Sequence, residues 1–432
     1  FRREWKLDPE LGRRMFNSLE RRVLAAQGQA RVVIETFAGE GPEQVLAHLK
    51  QVGADVISHD PCGPHWLIET TLPAAWVPAV ADLSSVQFIE DAMEIELRND
   101  STRWIIQSNV STQTPVWDRG ITGQGQIAGI IDSAVRESHC AFDDVVAAGP
   151  THRKIVAFRG TVGSSSHGTH CAGTIAGDNA PYGQYTLHDG IAFSAKLTAT
   201  NSSSVTSTNL LTFFLAAHAD GARCHSNSWG NDSTTTYTTH CQQIDQFMWM
   251  EEDNMVAFAV TNTSTLKTPE NSINVFAVGA SGDTPNQGNH CTGGTGPTFD
   301  GRRKPEIYAP GCGTTSANSA TTCGTSNQTG TSMACPAITG AAVLVRQYFT
   351  DGFYPSGQAT PGDSRIPTGA LIKAVMLNGT VDMTGPAGYP SNQEGFGRLL
   401  LDNALYFPGD ARKLYIADVR NAQGFSTGES TS

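Results

Sequence analysis

Three polar side chains stand where apolar stretches begin or end, and together they could form a nucleophilic hydrolysis site. Asp132 follows the apolar run 125–131, while His167 and Ser332 each open a segment of small, apolar residues. A serine at the start of a buried helix lies where free backbone N–H groups and the helix dipole stabilise an anion. A nucleophilic serine needs that stabilisation when its tetrahedral intermediate forms. At one sheet edge, the three residues could act as orienting carboxylate, general base and nucleophile.

A fourth residue could supply the donor for the developing oxyanion. Asn262 follows the apolar run 255–260, so its amide is expected to point out beyond a strand end. Removing such a donor costs about 3–4 kcal/mol of transition-state stabilisation. Each of the four residues also has an ordinary structural explanation, as an N-cap, a turn residue, a lone histidine or a carboxylate at a wet edge. The prediction therefore depends on their occurring together.

The elements that must position these residues are suggested by largely apolar runs alternating with helical stretches. Such runs mark strands buried on both faces of a parallel sheet, and they cover 125–131, 192–200, 255–260, 275–280 and 305–309. Helical stretches cover 168–176, 209–221, 241–252 and 370–378. The alternation predicts an α/β domain with a doubly wound, mostly parallel sheet. Ligands of such sheets bind beyond the carboxyl ends of the strands.

Smaller regions flank this domain. Residues 1–30 are predicted to be a polar, Arg-rich helical lead-in. Residues 31–98 have the order βαββαβ, with helices from 41 and over 75–83 and a last strand running through 86–97, which predicts a small ferredoxin-like α+β domain. The tail 409–432 has strand character at 414–419, which predicts the start of a truncated β domain.

Composition narrows the class of protein. The 432 residues are 39% hydrophobic and 16% charged, typical of a folded soluble protein, and the formal net charge of −12 disfavours nucleic-acid binding. No run approaches the ~18 apolar residues of a membrane span. Of nine cysteines, Cys312 with Cys323 and Cys224 with Cys241 are candidate disulfide pairs, and Cys62 is predicted to be an isolated thiol. Several disulfides would imply an oxidising compartment, so we expect a secreted protein whose signal peptide is not part of this chain.

Three segments resemble the signatures of the subtilisin-like serine proteases. They are Ile131-Asp132-Ser133, the stretch 167–174 that begins His-Gly-Thr-His, and 330–336, which reads Gly-Thr-Ser-Met-Ala-Cys-Pro. They occur in that family's order of Asp, His and Ser. Segments 226–230 and 300–311 also resemble the family's substrate-binding strand and a passage before its serine. The resemblance covers roughly 99–408 and is closest to alkaline subtilisin-like proteases with a C-terminal β-sandwich.

The resemblance implies a serine endopeptidase that cuts proteins through an acyl-enzyme intermediate. Asp132, His167 and Ser332 would form the catalytic triad, and Asn262 would complete the oxyanion hole. The six residues that would bind substrate as an added strand are Ser228, Trp229, Gly230, Ala259, Val260 and Thr261. Catalysis would need no metal or other cofactor. Structural calcium is common in the family, but no Asp-rich loop locates a site here.

The resemblance also implies a zymogen. Residues 31–98 would be a propeptide that assists folding and inhibits the catalytic domain, 99–408, until self-cleavage between about 97 and 109. The expected partners are protein or peptide substrates and the propeptide itself, with neither nucleic acid nor a membrane span.

Two positions depart from the family pattern. Ala134 stands where Gly usually follows Asp-Ser, and Thr261 stands where Gly usually precedes the oxyanion Asn. Thr261 lies on the wall of the pocket for the residue before the scissile bond, so it affects pocket size more than catalysis. Cys171 and Cys335, close to His167 and Ser332 in sequence, are expected to be small buried hydrophobic residues.

Two alternative functions stay open at this point. A zinc hydrolase could use His167, His170 and Cys171, whose i, i+3, i+4 spacing permits convergence on one helix face, with His139 and Cys140 nearby. That alternative leaves the serine signature unexplained. A catalytically impaired pseudoprotease acting as a binding scaffold is the other, and its support is the pair of departures from the family pattern.

Overall fold

The structure is a computed structural model that describes residues 2–9, 11–13, 19–92, 99–178, 188–383 and 388–424. It divides into two compact units, Phe1–Glu96 and Leu97–Ser432, each with its own hydrophobic core.

The first unit is a four-stranded antiparallel sheet with short helices. Its elements are α1 (Leu19–Ala26), β1 (Gln29–Thr36), α2 (Glu43–Gln51), β2 (Asp55–Cys62), β3 (His65–Pro73), α3 (Val77–Ala81) and β4 (Val86–Asp91). The strand order is β2-β3-β1-β4. In β1, Val32, Ile34 and Thr36 are buried and the residues between them are half-exposed, as expected for a strand with one face on a core.

This topology is the predicted ferredoxin-like arrangement, with two differences in detail. The second helix covers only Val77–Ala81 rather than 75–83, and a 3-10 turn, Ala74–Trp76, precedes it. The last strand ends at Asp91. The predicted continuation over 95–97 lies outside the described residues.

The second unit contains a helix, α4 (Asn99–Gln107), before its first strand. The elements that follow are β5 (Ile127–Asp132), β6 (Ile155–Arg159), α5 (Ser166–Ala176), β7 (Lys196–Asn201), α6 (Leu210–Ala219), β8 (Ala222–Asn227), α7 (Thr239–Met250), β9 (Met255–Ala259), β10 (Phe276–Ser281), β11 (His290–Thr292), β12 (Ile307–Pro310), β13 (Cys312–Ala317), β14 (Thr325–Thr329), α8 (Thr331–Thr350), α9 (Gly369–Asn378), β15 (Thr380–Val381), β16 (Arg398–Leu399) and α10 (Leu401–Ala404).

The main sheet has ten strands and is mostly parallel, which confirms the predicted fold class. Its order is β15-β16-β12-β10-β9-β8-β5-β7-β6, with β11 paired to β10. Only the β10–β11 and β15–β16 pairs are antiparallel. The chain places β6 and β7 on one side of β5 and the later strands on the other. Such a reversal opens a crevice at the carboxyl ends of the strands, here between β5 and β8.

Helix α8 is the centre of the core. Residues 333–349 are all buried, because their sequence is small or apolar on nearly every face. The helix packs against α5 and against β8, β9 and β10. A side chain at Gly340 would come within 2.7 Å of Ile191 Cβ, so glycine is needed for close approach there.

Several predictions about the chain ends and cysteines were wrong. Residues 414–419 form no strand, although Leu414 and Ile416 still pack on the core. The disulfides are Cys140–Cys323 and Cys291–Cys312, not the predicted pairs. Cys224 and Cys241 are free and buried, whereas Cys62 is a free, exposed thiol as expected. Within the described ranges, no helix combines the length and apolar character needed to cross a membrane.

Candidate active site

The carboxyl ends of β5, β8 and β9 meet at one edge of the main sheet, because these strands are parallel neighbours. Asp132 is the last residue of β5 and Ser228 directly follows β8. Asn262 follows β9 by three residues. The first turns of α5 and α8, which carry His167 and Ser332, lie at the same edge, as the contacts described below require.

Asp132 and His167 form a close pair. His167 Nδ1 lies 2.7 Å from Asp132 Oδ1, which also accepts a bond of 2.7 Å from the Ser133 N–H and one of 3.1 Å from the Ser133 hydroxyl. The Asp132 carboxylate is only 3% exposed, whereas the imidazole is 38% exposed. Because Nδ1 faces a carboxylate oxygen, it carries the hydrogen and Nε2 is the acceptor. That is the tautomer a general base requires.

The electrostatic balance at His167 favours protonation. Partial burial by itself lowers the pKa of His167, but the hydrogen bond and the negative charge of Asp132 outweigh burial and raise the pKa above its ordinary value. The charged form of His167 is therefore stabilised by Asp132.

Glycine after His167 allows α5 to begin against the end of β5. The Gly168 N–H donates to the Ser133 hydroxyl at 3.0 Å. A Cβ on Gly168 would lie 2.0 Å from the Ser133 carbonyl oxygen, so no larger residue fits. This contact explains in physical terms why His167 is followed by glycine.

Ser332 is held by its backbone from two directions. It is the second residue of α8 and is half-buried. Its carbonyl oxygen accepts the Ser228 hydroxyl at 3.0 Å and the Cys171 thiol at 3.3 Å. Cys171 Sγ also lies 3.9 Å from His167 Nδ1. The first turns of α5 and α8 and the end of β8 are thereby linked through one serine.

The two cysteines near the site are buried, as expected for small hydrophobic residues. Burial raises the pKa of Cys171 well above its ordinary value and that of Cys335 to about 11. Both side chains are therefore neutral thiols near pH 7, so neither is an activated nucleophile.

Asn262 is oriented by the residue before Ser332. Its Oδ1 accepts the Thr331 N–H at 3.0 Å and lies 3.3 Å from the Thr331 hydroxyl, which itself donates to the Val260 carbonyl. Because Oδ1 accepts from an N–H donor, Nδ2 is left as the donor of the amide, and it donates to no described residue. An exposed amide donor thus stands beside the helix terminus that carries Ser332.

The two segments predicted to bind substrate differ in what they can offer. The backbone polar groups of Trp229 and Gly230 have no partner within the described chain, so this segment is an open edge. In contrast, the Val260 N–H donates to Val278 O at 3.0 Å and the Thr261 carbonyl accepts the Gly294 N–H at 2.8 Å. The Thr261 N–H is taken by Glu270. Ala259 to Thr261 can therefore form a pocket wall but not a second pairing edge.

Of the residues of the zinc alternative, His167 and Cys171 converge, together with Asp132, but His170 and Cys140 do not join them. His170 Nε2 lies 3.2 Å from the carbonyl oxygens of Thr314 and Ser326, and burial lowers the pKa of His170 to about 4. Cys140 is bound to Cys323 in a disulfide. The groups that do converge in the described part of the chain are Asp132, His167 and Cys171, and His218, Glu251 and Asp253. Neither is the all-oxygen set that calcium takes, so structural calcium stays a prediction without a site.

Sequence reasoning missed three residues that shape this edge. Ser133 bonds both Asp132 and Gly168, and Thr331 orients Asn262. Both lie inside the recognised motifs, so their positions carried a usable signal. No feature of the sequence indicated a role for Glu270. Its carboxylate accepts the Thr261 N–H at 3.1 Å, and this contact exists only in the folded chain.

Comparison with known proteins gives a family and several relatives. Residues 123–397 match the family model described as the subtilase family. The serine protease/ABC transporter B family proteins tagA and tagD of Dictyostelium discoideum are 25% and 26% identical to this chain over 425 and 422 residues. These alignments cover 71% and 67% of this chain but 24% and 23% of the relatives, so the chain spans about a quarter of their length.

One solved structure has a similar fold. The prenylagaramide maturation protease PagA matches with a TM-score of 0.52 at 21% identity, covering 67% of this chain and 96% of that one. At this identity the likeness concerns the fold.

Proposed function

The chain belongs to the subtilase family, and we propose that it hydrolyses peptide bonds in proteins as a serine endopeptidase. Asp132, His167 and Ser332 are the proposed triad, with Asn262 as the side-chain donor of the oxyanion hole. The observation that carries the proposal is the 2.7 Å bond between Asp132 Oδ1 and His167 Nδ1 at the sheet edge where Ser332 opens α8.

The proposed chemistry follows from the tautomer of His167. With the hydrogen on Nδ1, Nε2 can take the proton from Ser332 Oγ as that oxygen attacks the substrate carbonyl carbon. The same proton then passes to the leaving amine as the peptide C–N bond breaks, which leaves an acyl group on Ser332. Water, deprotonated in turn by His167, attacks the acyl-enzyme and releases the new carboxyl group. Asp132 keeps the imidazole oriented and stabilises its charged form.

The oxyanion would be held by two donors. One is the Ser332 backbone N–H in the first turn of α8, which has no partner four residues before it. The other is Asn262 Nδ2, which stays available as a donor because Oδ1 accepts the Thr331 N–H. Preorganised donors of this kind stabilise the transition state because they need no reorientation when charge develops.

The departures from the family pattern do not by themselves argue for a pseudoprotease. Neither Ala134 nor Thr261 has a positive φ angle, since the described non-glycine residues with positive φ are Asn109 and Thr112. Ala134 therefore replaces glycine without backbone strain.

We further propose that the protein is secreted as a zymogen, with the first compact unit as propeptide. The order of helices and strands in that unit and its four-stranded sheet are those of a small independent domain. Two disulfides in the second unit support an oxidising compartment.

A serine-directed fluorophosphonate tests the proposed nucleophile. We expect it to label Ser332 alone, located by peptide mass spectrometry, and to abolish digestion of a denatured protein. Ser332→Ala should lose both labelling and digestion, while Ser326→Ala, in strand β14, should keep both. Labelling elsewhere, or no digestion by folded protein freed of residues 1–98, would contradict the proposal and favour a binding scaffold.

A further inference from the structure

Glu270 is a buried carboxylate without a countercharge beside the proposed active site. Its side chain is only 1% exposed. Oε1 accepts the Thr261 N–H at 3.1 Å and the Lys267 N–H at 2.7 Å. Oε2 receives no hydrogen bond from any other described residue, and no described cation pairs with the carboxylate. A buried ionised carboxylate is costly unless it is paired.

The Glu270 carboxylate lies close to both segments that are proposed to bind substrate. Oε1 is bonded to Thr261, which directly precedes Asn262. Oε2 would lie 3.5 Å from a Cβ placed on Gly230. Glu270 therefore lies between the open edge at Trp229–Gly230 and the wall at 259–261.

The proposed function would bring a substrate side chain near this position. The carbonyl oxygen of the residue before the scissile bond would be held at Asn262 Nδ2, and its backbone would pair with the open edge at Trp229 and Gly230. Its side chain would then face the 259–261 wall. A long side chain in this space would extend toward Glu270 Oε2.

We propose that Glu270 makes this pocket selective for lysine or arginine immediately before the scissile bond. A cationic side chain would supply the countercharge that the folded chain lacks, while a neutral one would leave the carboxylate unpaired. This inference rests on the proposed function, because the pocket is defined by attack from Ser332.

In the unliganded site the pKa of Glu270 is raised, which favours the neutral acid more than in a free glutamate. Burial raises the pKa of Glu270, and Asp232 raises it further, while hydrogen bonds from the Glu270, Thr261 and Lys267 backbone act in the opposite direction. A bound ammonium or guanidinium group would favour the ionised form.

The opposing explanation is that Glu270 only fastens the turn 267–270 to Thr261. Glu270→Gln distinguishes the structural explanation from the specificity role. The glutamine amide oxygen can still accept from the Thr261 and Lys267 N–H groups, but the side chain carries no charge. Asp232→Asn is the matched control, since it removes a neighbouring carboxylate that is exposed.

The experiment uses peptides of one sequence that differ only at the residue before the cleaved bond, with lysine, arginine, glutamine or norleucine there. We expect kcat/KM for the lysine and arginine peptides to exceed that for norleucine by about tenfold or more. Glu270→Gln should abolish this ratio with little change for norleucine, and Asp232→Asn should retain it. An unmodified protein without the preference overturns the inference, as does an unchanged ratio in Glu270→Gln. If Glu270→Gln does not fold, the kcat/KM values of the unmodified protein for the four peptides decide whether the preference exists.

A binding measurement separates this inference from the proposed function. Ser332→Ala freed of residues 1–98 is titrated with the same peptides, labelled for fluorescence anisotropy. Preferential binding of the lysine and arginine peptides supports the role of Glu270 even if no peptide is hydrolysed. Hydrolysis without any such preference overturns the role of Glu270 and leaves the endopeptidase intact.

Discussion

At the scale of single residues, the site depends on how one imidazole balances burial against a neighbouring charge. Asp132 is almost fully buried and lies 2.7 Å from His167, so the carboxylate acts on the imidazole with little solvent between them. The proposed base is therefore easier to protonate than a free histidine. This has a direct consequence for the dependence of activity on pH.

We expect kcat/KM to fall on the acid side with a midpoint above about 6.5, the value of an ordinary histidine. Below the midpoint His167 is charged and cannot accept the Ser332 proton; above it His167 is neutral and active. Asp132→Asn removes the bond and the charge that raise the pKa of His167, so NMR titration should place it lower, with kcat reduced about 10⁴-fold. His170, whose pKa burial lowers to about 4, is the internal reference. The same His167 titration in both proteins would refute the role given to Asp132.

The second prediction at this scale concerns Asn262. Asn262→Ala should lower kcat by about 10²–10³, because the lost donor acts on charge that develops in the transition state. KM should change little, since the interaction is weak in the ground state. Thr263→Ala is the control, because Thr263 is exposed and, among the described residues, its hydroxyl bonds only Thr261 Oγ1. Unchanged kcat in Asn262→Ala would remove Asn262 from the oxyanion hole.

At the scale of elements, the apolar strands and the helices between them could be predicted because burial on both faces leaves a continuous apolar run. Strand β8 departs from that rule. It carries buried polar residues such as His225 and Asn227. His225 Nε2 lies 2.9 Å from Asn254 Oδ1, and Asn227 Nδ2 donates to the Ala257 carbonyl at 3.1 Å. Partners of this kind lie far away in sequence, so hydropathy does not predict them. Strand β6 was missed because most of it is half-exposed.

The predicted disulfide pairs were wrong for a related reason. Cys312 and Cys323 are close in sequence, but Cys312 begins β13 and pairs in register with Thr329, which places Cys323 toward the other end of the hairpin. Proximity along the chain was therefore a poor guide to proximity in the fold. The positions of Asp132, His167 and Ser332 were easier to predict than the disulfides, because the apolar pattern locates the strand end and the helix starts where they lie.

A buried ion cluster fastens α9 to the sheet and gives a prediction about stability. Glu306 Oε1 lies 2.6 Å from Lys304 Nζ and 2.9 Å from Lys373 Nζ, while Oε2 accepts the Ala277 N–H at 2.8 Å. Glu306→Gln leaves two ammonium groups without a countercharge. Urea unfolding at pH 7 should show a loss of about 3–5 kcal/mol in the free energy of unfolding.

The pH dependence of the free energy of unfolding of Glu306→Gln tests this prediction further. Burial lowers the pKa of Lys304 to about 8 even with Glu306 present, and removing the carboxylate should lower it further. The unfolded state then binds more protons than the folded state, so the variant should gain stability from pH 7 to pH 9. Asp300→Asn, which removes an exposed partner of Arg302, should change stability little. A small loss for Glu306→Gln at pH 7 would show that the cluster is not needed for stability.

At the scale of the whole molecule, the two compact units are joined in sequence near the predicted site of self-cleavage. The predicted window runs from about 97 to 109, but α4 occupies Asn99–Gln107 and buries Trp104 and Ile105. A protease of this kind binds its substrate as an extended strand. Cutting inside α4 would require the helix to unfold first, and the Ser108 and Asn109 N–H groups are bonded to the Trp104 carbonyl at 2.9 and 2.8 Å. The expected site therefore narrows to the residues before Asn99.

Autoprocessing can therefore be tested with a defined product. If the chain cuts itself as proposed, it should yield a fragment beginning near Asn99, at the concentration-independent rate of an intramolecular reaction. Ser332→Ala should remain intact, and Asn262→Ala should be processed slowly, since the same oxyanion donors would act on the propeptide bond. Intact-mass measurements over a dilution series distinguish cleavage within one molecule from cleavage between molecules. Processing of purified Ser332→Ala would show that another protease cuts, and a rate that rises with concentration would show cleavage between molecules. A fragment beginning within 100–107 would mean that α4 forms only after the cut.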